Sequence, residues 1–389
     1  MNVNVWLLFF CQALVNASSI GQVAMSALLG HEMAPHPGLA TLPYALQMAA
    51  TMAASIPAGM IFSRFGRKPG FYLGAAGSLV GCGIYALGVL RGDFVLYCLG
   101  AIPTGVGFGI GQHYRFAAAE VADVAARPRA IGLVMAGGVL AATLGPELVE
   151  RTQGLTPPLL FLGTYLSLAI LPVLVALLLV FARMPPAPAR VVSPTPLGEI
   201  MARPTFVVAA VAGLVGYGSM NLIMASTPLQ MMMCGFGVND SIDVIRLHAI
   251  CMFAPGFFTG RLIQRFGAHR IICVGGALTI LCAGLSLIGS SFTDFVVALS
   301  ILGLGWNFMF VGATSLLSTA HNAQERVRAQ AANDFIVFGT VACTSFTSGA
   351  LHEGAGWVAL NAAVVPPVLV ALALVLWHRA RHARRPVFA

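Results

Sequence analysis

The chain has 389 residues, of which 58% are hydrophobic and only 9% charged, with a mean hydropathy of +0.87. A soluble domain carries about 25% charged residues, so composition excludes a soluble enzyme. The net charge of +8 would suit nucleic acid if it formed one patch, but the basic residues sit in short connections between apolar runs of membrane-spanning length.

Taken in chain order, the apolar runs predict twelve membrane helices near 4–27, 40–62, 70–90, 94–116, 130–150, 157–182, 205–230, 243–263, 271–290, 294–317, 329–349 and 357–377. The first, "VWLLFFCQALVNASSIGQVAMSALL", has no basic residue before it and is too long for a signal-peptide core, so it is expected to stay as a helix. With the N-terminus inside, Arg64, Arg67, Lys68, Arg127, Arg129, Arg183, Arg265, Arg270, Arg326 and Arg328 fall on one side. The opposite side holds little beyond Arg91, Arg151 and Arg246. That asymmetry predicts both termini in the cytoplasm, with the basic tail "HRARHARRPVF" lying at the anionic leaflet. The eight cysteines lie mostly in apolar runs and show no C-x-x-C pairing, which reads as buried small hydrophobes rather than a disulfide framework.

The connection "RMPPAPARVVSPTPLGEIMARP" is rich in Pro and divides the chain into an N-terminal six-helix bundle (1–182), a cytoplasmic linker (183–204) and a C-terminal six-helix bundle with its tail (205–389). The halves repeat each other. "GMIFSRFGRKPGFYLGAAG" from Gly59 aligns without gaps on "GRLIQRFGAHRIICVGGAL" from Gly260, matching Arg64 to Arg265, Phe65 to Phe266 and Gly66 to Gly267. "RPRA" at 127–130 and "RVRA" at 326–329 recur at nearly the same offset. A duplicated unit is the mark of a transporter whose substrate site lies near the midplane between its halves.

The segment from Gly59 through Arg64, Gly66 and Arg67 to Lys68 resembles the loop signature G-x-x-x-D-R-x-G-R-[RK] of the major facilitator superfamily, and lies between the second and third predicted helices as it does there. Ser63 stands where that family usually has Asp. The resemblance implies an all-α membrane protein of two pseudo-symmetric six-helix bundles. Gly59–Lys68 and its counterpart Gly260–Arg270 would then brace helices as the halves rock.

Ionisable groups inside a span are costly and therefore informative. The inventory is short: Arg115 and Glu120 near one end of the fourth helix, Glu147 near the end of the fifth, and Asp334 near the start of the eleventh, which is the main candidate for proton coupling. The spans hold sulfur instead. Met220 and Met224 are spaced i, i+4 on the seventh helix, and His248 and Met252 share that spacing on the eighth, which is expected to be its antiparallel neighbour. Thioethers and imidazole together select Cu(I), whereas Mg, Ca or Mn would need oxygen ligands. Chance predicts about 0.7 Met pairs at this spacing in such a chain, and two occur, so a single M-x-x-x-M pair is weak evidence. Core filling and interhelical hydrogen bonding are the ordinary roles of Met and His in such helices.

The paired motifs, Met220-x-x-x-Met224 followed by His248-x-x-x-Met252, look like those of the copper-importing, CcoA-like branch of the superfamily. That branch supplies copper for cytochrome oxidase assembly. "GWNFMFVGATSLL" (305–317) and "RAQAANDFIVFG" (328–339) resemble that branch and its riboflavin-carrying relatives equally. Secondary candidates are Cys234 in "MMMCGFG", a capture loop with His31, Met33 and His36, and Met48 with Met52, whose alternative is core packing. His113 beside Arg115 is a further polar residue.

The expectation is a non-enzymatic secondary transporter in a bacterial inner membrane, importing copper, as the ion or a chelate, through Met220, Met224, His248, Met252 and Cys234 by alternating access. Its partners would be the lipid bilayer and copper chaperones; no nucleic acid and no resident cofactor is expected. Protonating His248 would remove a ligand, so copper binding should weaken at low pH. The alternative is a proton-coupled facilitator for an organic solute such as riboflavin or a drug, with Trp306, Phe308, Tyr217 and Tyr114 lining its path and Asp334 essential. A third reading is a membrane copper sensor or assembly factor that binds copper without carrying it.

Overall fold

The computed structural model describes residues 2–35, 39, 42–159, 161–185 and 195–383. Among them there is no strand, as a bilayer demands of a chain with no closed barrel: without water, each segment must satisfy its own backbone N–H and C=O groups. The elements are α1 (Val3–Met33), α2 (Leu42–Phe65), α3 (Arg67–Arg91), α4 (Phe94–Gly111), α5 (Tyr114–Val121), α6 (Arg127–Ala136), α7 (Gly138–Thr152), α8 (Leu162–Leu168), α9 (Ile170–Phe181), α10 (Leu197–Ala202), α11 (Pro204–Met233), α12 (Val238–Phe253), α13 (Gly256–Phe266), α14 (Ala268–Leu285), α15 (Phe292–Leu317) and α16 (Arg326–Ala383). They form two compact units, residues 1–124 with 133–191, and residues 125–132 with 192–389. Residues 186–194, within the connection expected at 183–204, lie outside the described residues, as do His36 and the last six residues of the tail.

Ten helices among the described residues are long and apolar enough to cross a membrane, two fewer than the spans read from the sequence. The other two predicted spans are helical but polar. One is α12 and α13, which carry Asp240, Asp243, Arg246 and His248 and break at Ala254–Pro255, where proline supplies no N–H to continue the ladder. The other is the first arm of α16, with Arg326, Arg328, Gln330, Asn333 and Asp334; it joins the last arm through Gly356 at φ 80°, ψ 173°.

In the first unit α4 packs against both α2 and α3, and α1 against α7. Small residues permit these approaches. A Cβ on Gly105 would fall 2.3 Å from the Gln47 carbonyl oxygen, so α2 and α4 touch backbone to backbone. In the second unit α11 lies mainly on α16 and α15, while α12 and α14 lie on α15. The expectation that the seventh and eighth helices are close neighbours is therefore corrected, because α12 makes its main contact with α15.

The repeat seen in the sequence is also conformational. Gly66, between α2 and α3, has φ 88° and ψ 173°; Gly267, between α13 and α14, has φ 84° and ψ 150°. Only glycine enters this region without strain. Beside each turn an arginine lies over the next ring, Arg64 on Phe65 and Arg265 on Phe266, each at 5.2 Å.

Candidate functional site

His248 occupies the middle of α12 and is 1% exposed. Its Nδ1 lies 2.7 Å from the carbonyl oxygen of Leu299 on α15. A carbonyl only accepts, so Nδ1 carries the proton and, in the neutral ring, Nε2 presents a lone pair. Nε2 is buried and has no hydrogen-bond partner among the described residues. One turn further, α12 and α15 meet at Gly303, where a Cβ would fall 2.7 Å from the His248 carbonyl oxygen and 2.8 Å from the Met252 nitrogen. The break at Pro255 strips the last turn of α12 of intrahelical donors. Asn307 replaces one of them, donating Nδ2–H to the Met252 carbonyl at 2.8 Å while its Oδ1 accepts from Thr259 Oγ1 at 2.7 Å. Sequence reasoning missed Asn307, although a buried amide inside "GWNFMFVG" was a readable signal.

Met220 is buried on α11 and Met224, one turn later, is half-buried. Met252 is half-buried on α12. Thus Met220 with Met224, and His248 with Met252, each share a helix face, but α12 turns its histidine toward α15 rather than α11. Among the described residues no three His, Cys, Asp or Glu side chains gather in a group able to hold a metal ion. Cys234, half-buried at the end of α11, accepts from Gln230 Nε2 at 3.6 Å, and Gln230 Oε1 lies 3.0 Å from His352 Nε2. Met48 is buried and Met52 half-buried on α2, in the other unit. Met33 packs against that unit's hydrophobic core, and the side chain of His31 lies outside the description.

Aromatic rings dominate the same region of the second unit. Tyr217 on α11 makes edge contacts with Trp306 at 5.4 Å, Phe310 at 5.2 Å and Phe338 at 5.8 Å. Trp306 stacks on Phe310 at 5.1 Å and meets Phe253 of α12 at 5.6 Å. Trp306 is 1% exposed, and its Nε1–H, like His248 Nε2, has no hydrogen-bond partner among the described residues. Phe308 faces Phe258 instead, and Tyr114 packs on Phe71 in the first unit. Neither joins the cluster.

Asp334, on the first arm of α16, is 1% exposed and accepts from Asn333 Nδ2 at 3.1 Å. Nearby in sequence, Thr344 and Ser345 of that arm accept from Asn221 of α11, each at 3.0 Å, tying the two helices together.

The loop Gly59–Lys68 is anchored by a charge pair within its own unit. Arg67, 5% exposed, makes a two-pronged contact with Glu120 at 2.5 and 3.2 Å. Lys68 donates to the carbonyls of Val180 and Ala182 at the end of α9, where a cation suits the helix dipole. Ser63 takes no part in this lock; it donates to the Met60 carbonyl. The second unit has a different clamp. Arg203 at the start of α11 grips Glu325 at 2.6 and 2.8 Å. That hydrogen bond holds the Glu325 carboxyl down to about 2, aided by the Asn322 backbone N–H and opposed by burial.

The first unit also contains a polar face that sequence reasoning missed. Gln12 donates to Asn16 at 2.9 Å and Gln22 to Ser18 at 3.0 Å along α1, and Gln47 of α2 donates to Ser19 at 3.4 Å. The amides are legible as polar letters in an apolar run, but neutral donors carry neither the charge nor the sulfur by which site residues in a span are recognised.

The chain matches the family model of the Major Facilitator Superfamily over residues 5–339 and again over 243–388. It is 38% identical over 376 residues to the riboflavin transporter RfnT of Brucella anthropi, covering 96% of this chain and 94% of that protein. It is 26% identical to the uncharacterized MFS-type transporter YddS of Bacillus subtilis, over 96% of this chain and 90% of that one. Its fold is similar to that of FucP in the outward conformation, with a TM-score of 0.76 at 15% identity over 99% of this chain and 98% of that chain. It is also similar to human MFSD10, an organic anion transporter, with a TM-score of 0.78 at 13% identity over 95% and 98% of the two chains. The chain belongs to the Major Facilitator Superfamily. It is thus a multi-pass membrane protein and a secondary transporter, not an enzyme.

Proposed function

We propose that this chain carries a flavin-type organic solute, riboflavin foremost, across a bacterial inner membrane, with both termini in the cytoplasm. The observation that carries this reading is the 38% identity to a riboflavin transporter across 96% of the chain. The buried rings of Phe253, Trp306, Phe310 and Phe338, with the half-buried ring of Tyr217, support it, since a flat heterocycle is held best by aromatic faces and a few directed polar atoms. Asp334 is the residue assigned to proton coupling, and the loops Gly59–Lys68 and Gly260–Arg270 brace the helices during alternating access. The organic solute therefore replaces copper as the leading substrate.

Copper import keeps one supporting observation: the Nε2 of His248 has a lone pair and no hydrogen-bond partner among the described residues, one helical turn from Met252. In that case Met220, Met224 and Cys234 complete the path, and chaperones would receive the ion. Growth separates the readings. Expressed in a riboflavin auxotroph that lacks its own importer, the chain should restore growth at limiting riboflavin. Failure to restore growth at a verified membrane level would count against the flavin reading.

A further inference from the structure

Among the buried side chains of the second unit that have a polar atom with no hydrogen-bond partner among the described residues, two lie along the contact of α12 with α15. The imidazole of His248 has committed Nδ1–H to Leu299, leaving an acceptor at Nε2; the indole of Trp306 has a donor at Nε1. Each residue is 1% exposed, so neither atom is satisfied by bulk water. A buried polar atom left unpaired is expensive, and native structures rarely keep one without a use. The two belong to one locality. Leu299, which holds the histidine, and Trp306 are seven residues apart, so they share a face of α15 within about 10 Å along its axis. Phe253, five residues beyond His248 on α12, closes on the Trp306 ring.

We infer that His248 Nε2 and Trp306 Nε1 form the polar recognition pair for the substrate, an uncharged aromatic heterocycle that offers one N–H donor and one carbonyl acceptor. This rests on the flavin reading and deepens it. The isoalloxazine ring carries an imide N–H flanked by carbonyls; the N–H meets the acceptor at His248, and a ring carbonyl accepts from Trp306. The rings of Tyr217 and Phe310 belong to the same cluster and line the apolar body of such a ligand. The pair consists of one acceptor and one donor without a formal charge, which selects neutral heterocycles over carboxylates or cations. It also assigns His248 a role that needs no metal, and frees Met220 and Met224 for packing.

The test measures uptake of riboflavin and of N3-methylriboflavin, which lacks the imide hydrogen, by wild type, His248→Ala and Trp306→Phe at matched membrane levels. Trp306→Phe keeps an aromatic ring but removes the pyrrole ring together with its N–H, so thermal unfolding in detergent is measured beside uptake to separate a lost hydrogen bond from simple misfolding. The expected result is a wild-type preference for riboflavin over its N3-methyl form, erased in His248→Ala. A rise in KM of about tenfold is expected in Trp306→Phe, the size of one lost buried hydrogen bond. Wild-type uptake of riboflavin with no preference between the two flavins, or with both variants unchanged in KM, would overturn the pairing while leaving flavin transport standing; the two nitrogens would then serve buried water. No riboflavin uptake by the wild-type chain would overturn both.

Discussion

His248 donates its Nδ1–H to the carbonyl of Leu299 at 2.7 Å, and this one bond settles what the rest of the ring can do. It fixes the tautomer, aims Nε2 away from the α15 backbone and ties the middle of α12 to a neighbour by a backbone group that substitution cannot remove. The contact one turn further on depends on a residue with no side chain at all.

Gly303 is that residue. Replacing it with Ala would place a Cβ within 2.7–2.8 Å of backbone atoms of His248 and Met252, which cannot rotate away. Thermal unfolding in detergent should show a loss of about 1–3 kcal/mol, the usual cost of overpacking, together with reduced transport. Gly284→Ala is the control: nothing lies within 4 Å of its Cβ, so stability should hold or rise slightly. Equal losses at both positions would mean that the α12–α15 contact is not close.

The Arg67–Glu120 pair supplies a second prediction. Both side chains are largely buried, 5% and 11% exposed, so removing one leaves a charge without its partner. Glu120→Gln should cost about 3–5 kcal/mol, whereas the double change Arg67→Met with Glu120→Leu should recover much of that loss. The same unfolding assay decides, and a double variant no better than the single would contradict the account.

Glu325 makes stability depend on acid. Its carboxyl is held down to about 2 by Arg203, below the ordinary value near 4.5. A depressed folded value means that the contribution is fully present above about 4.5 and is lost as pH falls from there through about 2. Melting curves taken from pH 7 down to pH 3 should fall more steeply for wild type than for Glu325→Gln, which starts lower and has no carboxyl to protonate at this position. Parallel curves would remove the clamp from the account.

Asp334 is assigned to coupling, which separates two activities that a structural role would lose together. In reconstituted vesicles, Asp334→Asn should abolish riboflavin accumulation driven by a pH gradient while retaining exchange of labelled for unlabelled riboflavin. Full gradient-driven accumulation by the variant would end its coupling role.

Much of the architecture was legible because bilayer chemistry writes it in plain letters. Long apolar runs became helices, and the repeat of Gly66 at Gly267 proved to be the same glycine-only backbone turn. The polar stretches Val238–Phe266 and Arg326–Gly356 were harder, because their charges and the Pro255 break dilute the signal by which spans are recognised. Partners across the fold were not legible. Spacing placed His248 and Met252 on one face, but only packing shows that the imidazole meets Leu299 and that Asn307 takes the Met252 carbonyl. Arg67 was visible as part of a loop motif, while its partner Glu120 lies 53 residues on, a distance no local pattern spans.

The identity of the substrate separates the two readings. It is tested most directly by accumulation of radiolabelled riboflavin and, in parallel, radiolabelled copper, in cells that lack their own importers for either. A flavin carrier gives riboflavin uptake that depends on the chain and survives Met220→Leu and Met224→Leu, with copper no higher than in cells carrying empty vector. Copper uptake that depends on the chain and collapses in those variants, with riboflavin at the background level, would contradict the flavin reading.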